Sequence, residues 1–187
     1  MHQHYNILWL KEQVDSNQPL KYMFFWGHTN KPNEPMGKFV FSQWYESPFV
    51  VDNITYTTAE HWMMAQKALL FDDKAVYKEI LDCKKPGEAK ELGRQVNNFK
   101  DDVWNEQRYE LVKKGNLYKF TQHPLLRKYL LGTGDRILAE ASPIDVIWGI
   151  GLSQDSDKIN DVHAWRGLNL LGFALMEVRD YLSDKRK

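Results

Sequence analysis

The 187-residue sequence contains a single cysteine, Cys83, so it can form no internal disulfide and suits a reducing compartment. Only Lys84 and Lys85 accompany that thiol, and it reads as an ordinary helix-end residue rather than a nucleophile. Net charge is also missing. Twenty-five basic and 25 acidic residues cancel, which argues against a duplex-binding protein that works through a basic face. No stretch approaches the roughly 20 apolar residues of a membrane span. The opening MHQHYNILWLKEQVDSNQ has no basic n-region before its short apolar run ILWL, so no signal peptide is recognised. A cytoplasmic protein without a membrane partner is expected. Repeats, low-complexity blocks, Walker or dinucleotide fingerprints and metal-spaced His pairs are all absent from the sequence. Neither a metal nor another cofactor is therefore expected, and His61, His123 and His163 read as structural. His2 and His4 belong to an N-terminal extension, residues 1–20, read as flexible rather than as a surface metal pair.

What is present is enough for one domain. A chain of this length buries roughly 70% of its unfolded surface and needs no staple. Aromatics make up 13% of it, with seven Trp, more than enough for a core and for ring faces that could stack on a ligand. The front third is strand-like: KYMFFW (21–26) is a short apolar run ending at Gly27, and PFVVDNITYTT (48–58) is a hairpin pattern around Asp52-Asn53. Helices follow. They are expected over 58–71 and 73–82, from Pro86, from an N-cap at Asp101 or Asp102, and from Pro124 to Gly132. RILAEAS and DVIWGIG look like two short buried strands. A last helix from about Arg166 places Leu168, Leu171, Leu175, Val178 and Leu182 on one stripe. The fold class is α+β, a mainly helical domain around a small sheet, with the domain proper spanning 21–183 and a basic tail at 184–187.

One segment resists a purely structural reading. TTAEHWMMAQKALLF (57–71) threads Glu60 and Lys67 through an otherwise apolar, Met-rich helix. Thr57 and Glu60 match a capping box, which would explain the carboxylate without any function. Yet Glu60, Met63, Met64 and Lys67 share one face, with Lys67 about 10.5 Å along the axis from Glu60. That spacing is too long for a surface ion pair. Charges on a covered face cost several kcal/mol unless paired, hydrogen-bonded or used on a ligand. A second polar group, Asp135, Arg136, Glu140 and Asp145, lies in the Gly-rich LLGTGDRILAEASPIDVIWGIGL (130–152), where backbone N–H groups could approach an anion or a sugar. Tight turns between short strands are the readier explanation of the same glycines.

Taken together, FFWG (24–27), FSQWYESPF, YTTAEHWMMAQKALLF, AKELGR, KFTQHPLL, LLGTGD, LAEASPIDVIWGIGL and WRGLNLLGFALMEVRDYL resemble, in order and spacing, the NADAR family, also called YbiA-like proteins. The resemblance covers roughly 24–182. One departure concerns FSQWY, where the family often has LSNFY, so that contacts of that Asn and Phe fall here on Gln43 and Trp44. The resemblance implies a metal-free enzyme that cleaves the C1–N bond of a ribose-type sugar. It also implies small-molecule substrates, either ribosylamine intermediates of early riboflavin synthesis or ADP-ribose attached to guanine, the latter also within ADP-ribosylated nucleic acid. It centres the site on Glu60, with Lys67 and Asp145 as further catalytic candidates. Trp26, Gly27, Arg94, Trp104, Lys119, Glu140, Trp148 and Gly149 are the expected substrate contacts. The chemistry is coherent, since bond cleavage passes through an oxocarbenium-like state that a carboxylate stabilises. Trp104 and Trp148 could sandwich a base, and Lys67 could clamp oxygens or, if uncharged, attack C1 as an imine-forming amine. A module that binds ADP-ribose or a related nucleotide without cleaving it is the competing reading.

Overall fold

The computed structural model describes residues 4–30 and 35–184. In chain order its elements are α1 (Ile7–Asp15), β1 (Tyr22–Phe25), β2 (Phe49–Val51), β3 (Ile54–Tyr56), α2 (Ala59–Leu70), α3 (Lys74–Asp82), α4 (Pro86–Arg94), α5 (Asp101–Gln122), α6 (Pro124–Leu131), β4 (Ile137–Glu140) and α7 (Leu170–Asp184), with short 3-10 turns at Lys38–Phe41 and Val162–Ala164. This is an α+β fold, mainly helical, as expected. Among the described residues no helix is long and apolar enough to cross a membrane. The chain divides into a terminal unit, Met1–Ser42 with Leu125–Lys187, and a central unit, Gln43–Pro124.

In the terminal unit β1 and β4 pair in parallel, Phe25 opposite Glu140, so both strands end at the same edge. The helix α7 packs on β4. It buries Leu171, Leu175, Val178 and Leu182, four members of the expected stripe. Leu168 does not join them: it is 41% exposed, and the helix begins at Leu170 rather than near Arg166. The reason lies at Asn169, which has φ +54° and turns its side chain inward to donate to the Leu138 carbonyl at 2.9 Å and accept from the Glu140 N–H at 3.0 Å. A residue committed to both bonds in the left-handed region starts a helix after itself, not before.

Two further expectations change in this unit. DVIWGIG is not a strand but a run of turns, because the Asp145 carboxylate accepts the N–H groups of Ile147 and Trp148 at 2.9 and 2.7 Å and curls the backbone away from any ladder. Only the RILAEAS segment pairs, over Ile137–Glu140. The N-terminal extension is not loose over the residues described. Asn6 caps α1 by accepting from Trp9 N–H, Leu10 is fully buried, and Tyr5 donates its hydroxyl to Asp180 on α7 at 2.6 Å. His2 and the 185–187 part of the tail lie outside the described residues.

The central unit starts with the hairpin. Phe49 pairs with Tyr56, and Asp52 and Asn53 both take φ near +50 to +60°, as a two-residue primed turn requires. Against it pack α2 and α5, with α3 and α4 completing a helical cluster. Pro86 opens α4 at the first position, as expected. Neither Asp101 nor Asp102 caps α5. Lys100 holds that place without a side-chain bond, and the two carboxylates lie in the first turn, where the helix dipole favours them. His123 bonds the Pro48 carbonyl through Nε2 at 2.8 Å, a structural use of a histidine.

Candidate functional site

The capping-box explanation of Glu60 fails in the structure. Thr58, not Thr57, is the N-cap of α2, and its hydroxyl serves His61, whose backbone N–H and ring Nδ1 lie 3.3 and 2.8 Å away. Glu60 therefore stands inside the first turn, and its own N–H goes to the Gln43 carbonyl at 2.9 Å. Its side chain is only 6% exposed. A carboxylate so placed is close to the positive end of the helix dipole and largely shut off from water. His61 is buried with it, and desolvation holds the imidazole below its usual range, so a neutral ring is the resident form near neutral pH.

Around α2 the central unit gathers three more of the expected residues. Lys67 is half-buried, and its Nζ donates to the Gly93 carbonyl at 2.7 Å while lying 4.1 Å from the Phe99 ring centroid and 5.8 Å from that of Trp104. Burial pulls its pKa down and the charge of Asp101 partly restores it. Trp104 is buried, so its indole works mainly as part of this packing. Gly93 makes the approach of α2 and α4 possible, since a Cβ there would meet the Met64 sulfur at 2.1 Å. Arg94 points elsewhere: its guanidinium pairs with Glu91 at 2.9 Å on an exposed face. Such an i,i+3 pair contributes a few tenths of a kcal/mol and indicates no ligand.

Lys119 is the unusual member. It has no exposed surface, its Nζ is 5.7 Å from the Tyr45 ring centroid and 5.4 Å from that of Phe120, and burial pushes its pKa down to about 7. The stability consequence has a definite sign. Below about pH 7 both folded and unfolded chains carry the proton; between about 7 and the ordinary lysine value only the unfolded chain does. Stability therefore rises with pH across that window. Denaturant unfolding at about pH 6.5 and about pH 9.5 should show the wild type gaining on the order of a few kcal/mol, and Lys119→Met gaining less. Parallel pH dependences of the two proteins would show that Lys119 is charged in the folded state throughout.

The terminal unit places its candidates where parallel strands end. Trp26 and Gly27 follow β1; Trp26 is 58% exposed and Gly27 takes φ +82°. Glu140 closes β4, and its carbonyl accepts both Ser142 and Ile150 N–H groups at 2.9 Å. The carboxyl edge of parallel strands is a common location for ligand crevices. In the loop that follows, Asp145 commits one carboxylate oxygen to the turn, while Trp148 is half-buried. Gly149 is pressed so close that a Cβ would lie 2.9 Å from the Glu140 carbonyl. Arg166, which was not expected, holds this loop: its guanidinium donates to the Gly151 carbonyl and, at 3.2 Å, to that of Pro143. Gln43 and Asn116 were also not foreseen as a pair. A sequence signal existed for Asn116 alone, since Gly115 and Asn116 interrupt the apolar face of α5 one turn before Lys119. Among the described residues no three His, Cys, Asp or Glu side chains gather as a metal site would require.

Fold and residues define a mainly helical α+β protein with a buried carboxylate at one helix start and an aromatic-rimmed strand edge. A profile of the NADAR domain matches residues 24–183, and the chain belongs to that family. It is 42% identical over 165 residues to "N-glycosidase R617" of Acanthamoeba polyphaga mimivirus, covering 86% of this chain and 95% of that protein. It is 35% identical to "Protein irg-1" of Caenorhabditis elegans, covering 76% of this chain and 75% of the relative. "N-glycosidase YbiA" of Escherichia coli (strain K12) is 33% identical over 143 residues, covering 76% of this chain and 81% of that protein. The NMR structure of the E. coli protein YbiA superimposes with a TM-score of 0.71 at 28% identity, covering 89% of this chain and 87% of that one.

Proposed function

We propose that the protein is an N-glycosidase that hydrolyses the C1–N bond of a ribose-type sugar. Its substrate is either ADP-ribose attached to guanine bases or a ribosylamine intermediate of early riboflavin synthesis. Family membership and the relatives named N-glycosidase support the reaction class. The observation that carries the residue assignment is Glu60, a buried carboxylate that the cap of its own helix does not use.

The reaction asks little of the protein beyond charge and order. As the C1–N bond breaks, its electron pair leaves with nitrogen, and positive charge spreads over C1 and the ring oxygen. A desolvated carboxylate beside C1 stabilises that charge far more than it would in water. Water then adds its oxygen to C1 and keeps one proton as the new hydroxyl, while Glu60 takes the other and passes it to the departing nitrogen, so that the carboxylate ends as it began. Trp148, Trp26 and the backbone at Gly27 and Gly149 are assigned to substrate contact, as is Glu140, and Asp145 shapes the loop that presents Trp148. Lys67 is assigned to electrostatic support, because its Nζ is held on the Gly93 carbonyl and over the Phe99 ring.

The test incubates the protein with an ADP-ribosylated guanine oligonucleotide and, separately, with a ribosylaminopyrimidine phosphate, and follows released sugar by mass spectrometry. Release from at least one is expected. Retention of both substrates intact, with measurable binding, would make the protein a nucleotide-binding module instead. Borohydride added during turnover should leave Lys67 unmodified, and Lys67→Arg should keep most of the activity, since guanidinium preserves charge but not nucleophilicity. A reduced sugar adduct on Lys67 together with an inactive Lys67→Arg protein would replace the water route by a covalent imine.

A further inference from the structure

We propose that the buried amide pair Gln43–Asn116 reads a hydroxyl of the substrate's ribose, and so sets a preference for ribosyl over deoxyribosyl compounds. This rests on the ribose specificity of the reading above. The carboxamide of Asn116 donates from Nδ2 to Gln43 Oε1 at 2.9 Å and to the Val112 carbonyl at 3.0 Å. Its remaining atom, Oδ1, is buried without a hydrogen-bond partner, and so is Nε2 of Gln43. The pair thus keeps one unused donor and one unused acceptor on joined amides. Reversing Asn116 would set its oxygen against the Val112 carbonyl, and reversing Gln43 alone would set two NH2 groups together, so the observed orientation is the one the neighbours enforce.

Buried unpaired amide atoms cost stability, and folded proteins hold few of them. A hydroxyl is the smallest group that satisfies both atoms at once, accepting from Gln43 Nε2 and donating to Asn116 Oδ1. Neutral amides suit a neutral sugar hydroxyl and would be a poor cradle for phosphate. Their position points to a particular hydroxyl. The Gln43 carbonyl holds the Glu60 N–H at 2.9 Å, and Asn116 lies one turn from the fully buried Lys119 on α5. The two unpaired atoms are themselves buried, and of the three residues only Gln43, at 7% exposed, and Glu60, at 6%, keep any surface from which the hydroxyl could approach them. The hydroxyl beside C1, at C2 of the sugar, is the one within reach of a pair tied to Glu60. Hydrogen bonds to that hydroxyl strengthen as a glycosidic bond breaks.

Calorimetric titration of the full chain with ribose 5-phosphate and with 2-deoxyribose 5-phosphate tests this without needing turnover. The wild type is expected to bind the ribose compound at least roughly tenfold more tightly, since a site built to bond a hydroxyl rejects the analogue that lacks it. Gln43→Met/Asn116→Leu should bind both alike while melting within a few degrees of wild type, because removing both polar partners leaves no orphan. Should the double variant not fold, Gln43→Met alone, which leaves the Asn116 bond to Val112, should lose most of the preference. Absence of a ribose preference in the wild type, or its survival in the folded variant, overturns the proposal. A clear preference in a protein that releases no sugar would refute the glycosidase reading and leave the hydroxyl contact standing.

Discussion

Glu60→Gln is expected to lower turnover at least roughly a hundredfold while the protein melts within a few degrees of wild type. The size follows from removing one preorganised charge from a largely dehydrated position, a loss typically near 3 kcal/mol of transition-state stabilisation. The separation from stability follows from local geometry. Thr58 caps α2, and the bond from residue 60 to the Gln43 carbonyl is made by backbone, so both survive the substitution. Glutamine also matches the volume of glutamate and keeps an acceptor oxygen. Steady-state turnover on whichever substrate is cleaved, set beside a thermal melt, gives the answer. Near-normal turnover with a lowered melting temperature would reduce Glu60 to a structural residue.

The largest expected loss of stability comes from Gly172→Ala. Gly172 lies in the first turn of α7, and a Cβ there would sit 2.0 Å from the Leu138 carbonyl of β4 and 2.6 Å from the Asn169 carboxamide. On an exposed helix the same change stabilises by about 1 kcal/mol. Here the obstructing atoms are a strand backbone and an amide already bonded to it at 2.9 Å. The strand must move or the helix must lift, and overpacking of a core commonly costs about 1–3 kcal/mol before the lost Asn169 bonds are added. A net loss of at least about 3 kcal/mol is expected in denaturant unfolding, with an essentially unchanged slope. Equal or higher stability would mean that α7 and β4 can separate freely at this point.

Period and punctuation made most elements legible. The apolar run at 22–25, the Asp52-Asn53 turn, Pro86, Pro124 and the stripe on α7 each follow from local sequence, and the structure places them as expected. Failures occurred where one side chain overrode a pattern. Asn169 delays α7, and Asp145 turns an apolar segment into a loop with Ile144 88% exposed. A hydrophobic run signals a strand only if its N–H groups are free to join a ladder, and here a carboxylate takes two of them. Glu60 and Lys67 stood out as charges on an apolar helix, and burial of Glu60 agrees with that suspicion. Arg94 illustrates the opposite case, since a basic residue in a matching motif lies in a solvated pair with Glu91. Gln43 and Asn116 could not be joined from sequence, because 73 positions separate the two amides and no periodicity links a loop to the middle of α5.

Residues 43–124 are one uninterrupted stretch, whereas the terminal unit needs segments from both ends of the chain. On the ribosome, where synthesis runs at about 5–20 residues per second, this imposes an order. The hairpin and α2 to α5 belong to one continuous stretch and can pack on one another once residue 124 emerges. By contrast, β1 must wait for β4, whose residues 137–140 are made more than a hundred positions later. Until then its four-residue YMFF edge has no native partner and is open to pairing with a neighbouring nascent chain. Its brevity limits that hazard. The helix carrying Glu60 is thus among the first parts to mature, and the Asp145–Trp148 loop among the last.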